Sequence, residues 1–273
     1  MLTPSARRAG GAETWLRIFF VGGSISYRAL FNWLKPSIYI PTMLGSPLFQ
    51  ILFFAYVGRF SGLRDDTLFV VGNAVQVCSM AGIYGMTMTI ANERSFGTLS
   101  PLLASPARRV PLFLGRAIPP IFNGMIVSAF GFMVGALLLD FRMDLSSVPS
   151  LAAVLIVTVF SCTALGMTLG SVGLRAKDVF FASNLMYFLM LLFCGVNVPL
   201  ETLPGWMQGV GRSLPLTHGI EAARAIAGGA SLADVVTLVR TEALIGVLYA
   251  ALAYSLFRFF ELEGRRSGSL STF

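Results

Sequence analysis

The chain has 273 residues, 55% of them apolar and only 12% charged, with a net charge of +7 and a mean hydropathy of +0.76. A soluble domain carries roughly 25% charged residues, so this composition excludes an ordinary water-soluble domain and puts lipid over much of the surface. The positive excess fits cytosolic loops and anionic lipid better than nucleic acid.

Residues 1–12 read as a flexible cytosolic tail, and Arg17, Arg28 and Lys35 interrupt the following apolar stretch too early for a cleavable signal peptide. Over 13–35, a helical wheel gathers Glu13, Arg17, Ser24, Arg28 and Lys35 into a narrow stripe, with Trp15, Phe19, Phe20, Leu30 and Trp33 over most of the rest. A basic stripe on an apolar helix suits the cytosolic membrane interface. The rival, a seventh span, has to bury three cations at several kcal/mol each.

Six segments reach the ~20 apolar residues needed to cross a bilayer: about 37–57, 68–91, 117–139, 151–174, 179–200 and 241–260. Pro41, Gly45 and Pro47 predict a kink in the first, and Pro119-Pro120 a bend at the start of the third. Gly131/Gly135 and Gly166/Gly170, each four apart, predict close helix packing. Between the last two spans, Trp206, Met207 and Val210 form one face of a short helix after Pro204-Gly205; Leu214-Pro215 breaks it, and a second helix spans about 217–227. Residues 261–273 are a C-terminal tail.

An even number of spans puts both termini on one side. That side collects Arg7, Arg8, Arg17, Arg28, Lys35, Arg94, Arg108, Arg109, Arg116, Arg175, Lys177, Arg258, Arg265 and Arg266, against Arg59, Arg64, Arg142, Arg212, Arg224 and Arg240 opposite. The positive-inside rule makes the first side cytosolic. Arginine-rich, alanine-rich usage suggests a GC-rich bacterium, hence a bacterial inner membrane.

Catalytic signatures are missing. Neither lysine, Lys35 nor Lys177, follows a glycine, so no phosphate-binding Gly-Lys-Ser/Thr loop exists and any ATP is bound by another polypeptide. The single histidine, His218, excludes zinc motifs that need two and reads as a polar loop residue. Cys78, Cys162 and Cys194 lie in apolar runs as buried thiols. No catalytic, cofactor or metal residues are expected, and the chain is not an enzyme by itself. Acidic and basic residues avoid the middles of the spans, which argues against an ion-coupled carrier. Gln50, Asn73, Gln76, Asn123 and Asn184 are the polar residues there; Gln50, Asn73, Gln76 and Asn184 are either interhelical hydrogen-bond partners or points on a substrate route.

Residues 92–116 form the main water-facing segment. Phe96, Leu99, Leu102 and Leu103 recur at helical spacing, Asn92 can cap a short helix, Glu93 suits its dipole, and Ser105-Pro106 ends it. Its apolar face packs either on lipid or on a partner protein.

The run Glu93-Arg94, Gly97-Thr98-Leu99, Ser105-Pro106, Arg108-Arg109 and Leu114-Gly115-Arg116 resembles a segment of ABC transporter permeases of the type-2 exporter class, closest to daunorubicin-resistance-like permeases. Pro199, Leu203-Pro204-Gly205-Trp206 and Leu214-Pro215-Leu216-Thr217, with Arg224 beyond, resemble the external hairpin of the same class. Ser100 departs from the glutamate that many members carry. The resemblance implies an all-α integral membrane protein with six transmembrane helices, an N-terminal interfacial amphipathic helix, a cytosolic coupling helix and an external helical hairpin before the last span. It implies a separate ABC ATPase subunit holding ATP and Mg, engaged through Glu93, Arg94, Phe96, Gly97, Leu99, Leu102 and Leu103, and braced by the 13–35 helix. A second permease chain, identical or paralogous, is implied against spans one and five, with Pro204, Trp206 and Pro215 in a hairpin that gates the outer end. The expected cargo is a drug, antibiotic or lipid; polysaccharide or glycolipid is the substrate variant. An ATP-independent channel or carrier and a membrane enzyme are the alternatives.

Overall fold

A computed structural model describes Gly23 and residues 36–62, 66–95, 109–139, 141–173 and 179–267. The tail 1–12, the interfacial helix with Arg17, Arg28 and Lys35 (apart from Gly23) and Phe96 to Leu103 of the coupling segment lie outside the described residues.

The described residues form helices α1 (Pro36–Tyr39), α2 (Ser46–Phe60), α3 (Thr67–Ser95), α4 (Arg109–Leu138), α5 (Val148–Gly173), α6 (Val179–Phe193), α7 (Gly205–Ser213), α8 (Thr217–Ala227) and α9 (Val236–Ser267). A π-helical turn, Ile40–Gly45, joins α1 to α2. It falls where Pro41 and Pro47 remove backbone donors, so the first span bends through a wider turn. Among the described residues, five stretches are long and apolar enough to cross a membrane: Ile40–Phe60, Thr67–Thr89, Leu114–Leu138, Leu145–Val172 and Val236–Phe260. The chain is an integral membrane protein whose described secondary structure is all helical.

Helix boundaries depart from the expected ones in four places. The helix expected over 179–200 ends at Phe193, because Gly195 turns the chain at φ +73°. Pro119 and Pro120 lie inside α4 rather than opening a helix. Asn92, expected to cap a separate helix, lies inside α3, which continues through Ser95. The last helix runs on to Ser267, into the expected tail.

Helix α3 is the hub. Its span is 83% buried, against 17% for α9, because α2, α4, α5, α6 and α8 all pack on it. Glycine permits this approach: Gly131 and Gly135 of α4 face Ala74 and Val70, and Gly166 of α5 faces Gly82 and Ile83. Polar pairs fix helix directions. Gln50 meets Asn73 and Arg59 pairs with Asp66, so α2 and α3 are antiparallel. Asn184 meets Tyr84 and Ser183 meets Thr87, so α6 runs against α3. Thr168 donates to the Tyr249 carbonyl at 3.0 Å and Ser171 to the Ala253 carbonyl at 3.2 Å, so α5 and α9 run parallel.

Helices α7 and α8 are a short helical pair joined through residues 214–216, and α8 lies inside the fold. Ile220, Ala222, Ala223 and Ile226 are fully buried, and α8 packs on α3, α5 and α9. Its anchor is Arg224, which donates to the carbonyls of Gly195 (2.7 Å), Val196 (2.6 Å) and Leu68 (3.0 Å). The Gly195 and Val196 carbonyls lie just past the end of α6, where no further helical turn supplies donors, and the Leu68 carbonyl lies in the first turn of α3.

Candidate functional site

Helices α2 and α6 flank α3, and a seam of amides and phenols runs between them. Tyr187 of α6 donates through its hydroxyl to Gln50 Oε1 at 2.6 Å, and Gln50 Nε2 donates to Asn73 Oδ1 at 2.9 Å. Asn73 Nδ2 reaches Asn197 Oδ1 at 2.7 Å, just past the end of α6. Gln76 Nε2 donates to the Tyr187 carbonyl at 3.3 Å, while Gln76 Oε1 is buried with no partner among the described residues. Further along α3, the Tyr84 hydroxyl donates to Asn184 Oδ1 at 2.7 Å. The Tyr84 and Tyr187 rings meet edge to face at 6.3 Å, and Phe180 packs on Tyr84 at 5.9 Å. Asn123 is separate, accepting from Tyr39 at 2.6 Å.

Thus Gln50, Asn73 and Gln76 belong to one connected network, with Asn184 beside it through the tyrosine pair. Tyr84, Tyr187 and Asn197 did not stand out in the sequence. Tyrosines in an apolar run look like ordinary packing, and Asn197 lay inside an expected helix. A usable signal existed: Tyr84 sits eleven residues from Asn73, about 20° round the helix and so on nearly the same face.

Exposed aromatics adjoin the seam. Phe180, 50% exposed, packs on Tyr84, and Phe188, 61% exposed, meets the Tyr187 ring at 5.8 Å; on α2, Phe49 and Phe53 flank Gln50 in sequence and are 71% and 63% exposed. Neutral donors and acceptors beside aromatic faces can hold an amphiphilic molecule by stacking and hydrogen bonds, without an ion to strip of water. Each seam group already has a protein partner except Gln76 Oε1, so a bound molecule has to exchange with these bonds.

At the hairpin, Pro204 and Trp206 are exposed and Pro215 is buried. Trp206 meets Phe193 at 5.9 Å between ring centroids, fastening α7 to the end of α6. Pro215 offers its carbonyl to the Cys194 thiol at 3.6 Å. Leu216 is the one non-glycine residue with positive φ, +92°, among the described residues, and it is fully buried. Burial lowers the Arg224 pKa to about 10, which leaves it a cation at neutral pH. Glu93 and Arg94 lie in the last turn of α3, adjoining the undescribed coupling residues.

Comparison with known proteins follows the same outline. The family model described as ABC-2 type transporter matches residues 23–227. The chain is 26% identical over 219 residues to the daunorubicin resistance ABC transporter permease protein DrrB1 of Streptomyces coeruleorubidus, covering 78% of this chain and 77% of that protein. It is 23% identical over 257 residues to the probable doxorubicin resistance ABC transporter permease protein DrrC of Mycobacterium tuberculosis, covering 89% and 90%. The probable multidrug ABC transporter permease YbhR of Escherichia coli matches at 26% over 200 residues, 71% of this chain and 53% of that one.

Proposed function

This chain belongs to the ABC-2 type transporter family, and from that premise we propose that it exports a hydrophobic or amphiphilic small molecule of the drug or antibiotic kind, driven by a separate ATPase. It is a membrane permease. The observation that carries the substrate class is the uncharged amide and phenol seam between α2 and α6, adjoined by exposed aromatics. Two relatives are named for resistance to daunorubicin and doxorubicin, and an amphiphilic aromatic drug suits that lining.

In this reading α6 is a sixth crossing, supported by its antiparallel course along α3. Both termini then face the cytosol of a bacterial inner membrane, and α7 and α8 lie at the outer end. The ATPase partner holds ATP and Mg and grips residues 93–103, with the 13–35 helix alongside. A second permease chain covers the exposed faces of α2 and α6. Closure of the ATPases pushes the lower end of α3, the first span flexes at its π turn, and the seam opens outward past the hairpin.

The test is reconstitution with the cognate ATPase in inside-out vesicles, following doxorubicin fluorescence. ATP-dependent uptake that stops when the ATPase is omitted supports the reading; uptake by the permease alone, uphill and without nucleotide, overturns it.

A further inference from the structure

The last span carries a buried carboxylate with no part in the seam. Glu242, near the start of α9, is 1% exposed. Its Oε1 accepts from the Leu216 amide at 2.8 Å and from the Ser161 hydroxyl of α5, and its Oε2 accepts from the Gly219 amide at 3.3 Å. Leu216 and Gly219 open α8, where backbone donors lack partners within the helix and the dipole favours an acceptor. The same bonds hold Leu216 at its unfavourable φ, a conformation that persists only when its surroundings impose it.

The helices meeting at Glu242 are themselves fastened. Gly246, one turn on, lies so close to α5 that an added methyl falls 2.9 Å from Ser161 Cβ. Thr168 and Ser171 extend the α5 and α9 contact along both helices. Gly219 sits against the Thr158 side chain of α5. Helix α8 is therefore a strut: Glu242 ties its start to α5 and α9, and Arg224 ties its later turns to α3 and the end of α6.

We propose that Glu242 is a positioning residue for export, locking the start of α8 to α5 and α9 so that the outer hairpin moves with that helix pair. The proposal rests on reading the hairpin as the outer gate of an ATP-driven permease. A glutamine keeps one acceptor oxygen for Leu216 and Ser161 but sets its amide NH2 against the Gly219 amide, so Glu242→Gln weakens the strut at one end while α5 and α9 keep their other bonds.

The experiment compares wild type, Glu242→Gln and Glu242→Asp, each assembled with its ATPase in vesicles. Hydrogen exchange of peptides covering 214–220 reads the lock directly; doxorubicin uptake and ATP hydrolysis read its use. For Glu242→Gln, exchange over 214–220 speeds up at least about tenfold with α3 peptides unchanged, and maximal uptake falls about tenfold with KM within about twofold. ATP hydrolysis continues, and Glu242→Asp recovers part of both losses. Wild-type exchange over 214–220, uptake at the wild-type rate, or a loss confined to KM each overturns the proposal. If Glu242→Gln does not insert, Glu242→Asp decides: faster exchange over 214–220 with lowered maximal uptake supports the proposal, and wild-type values of either overturn it. A wild-type complex that moves no doxorubicin counts against the transport reading alone, since the exchange comparison still decides whether Glu242 holds the hairpin.

Discussion

Gly72 of α3 faces Arg224 of α8 so closely that a methyl group on Gly72 lies 2.7 Å from the guanidinium Nη2, beside the Val196 carbonyl it serves. Gly72→Ala is expected to push the guanidinium off its carbonyls and to destabilise the protein by about 1–3 kcal/mol, the usual range for overpacking. Gly209, inside α7 with open space where a side chain would go, is the control: Gly209→Ala is expected to stabilise by about 0.5–1 kcal/mol. Thermal unfolding in detergent of both variants checks the pair, and opposite signs are required.

The Tyr187 hydroxyl separates two meanings of the seam. Tyr187→Phe leaves Gln50 Oε1 without its donor. Interhelical hydrogen bonds in membranes average about 0.6 kcal/mol, so stability should fall by about 1 kcal/mol or less. Uptake kinetics tell more. A raised KM for doxorubicin with an unchanged maximal rate marks the seam as cargo contact; an unchanged KM marks it as helix fastening alone.

His218 gives the hairpin a pH dependence. Its Nδ1 lies 3.5 Å from Glu221 Oε2, and Nε2 lies 3.3 Å from the Arg212 carbonyl. The Glu221 carboxylate holds the His218 pKa above its ordinary 6.5, against the opposing pull of burial. A base with a raised folded pKa stabilises the fold fully below its unfolded value, and that stabilisation fades as pH rises through the raised one. Melting temperature should therefore fall as pH rises from below 6.5 through the raised folded value in wild type, and fall less in Glu221→Gln. Equal slopes in the two proteins would exclude the pair as the source.

Coupling to the ATPase is tested at the end of α3. Glu93→Arg and Phe96→Asp are each expected to lower uptake about tenfold or more while the permease still inserts and ATP is still hydrolysed. Normal transport by both variants removes this segment from the drive train.

Properties that are local could be read from the sequence. Apolar runs located the five helices long enough to cross a membrane, Pro41 and Pro47 located the bend that became a π turn, and Gly131/Gly135 located a close helix contact. Gln50, Asn73, Gln76 and Asn184 stood out because amides are rare in lipid-facing helices. What stayed hidden depends on closure of the chain. Glu242 is 26 residues from Leu216 and 81 from Ser161, and nothing near it in sequence names either partner. Arg224 was visible only as one of the cations on the outer side and as part of a family-like motif; its three carbonyl acceptors come from α6's end and from Leu68, 156 residues away. The early stop of α6 was missed because hydropathy continues past Phe193 while the backbone, turned by Gly195, does not.

That early stop has a consequence for the cargo. Fifteen residues at 1.5 Å each make α6 about 22 Å long, whereas the hydrocarbon layer is about 30 Å thick. Beyond Phe193 the wall becomes folded-in backbone and the Asn197 amide. On the route proposed above, a molecule leaving along α6 meets groups that can replace its water about 8 Å before it clears the oily layer, which shortens its dehydrated journey by roughly a quarter.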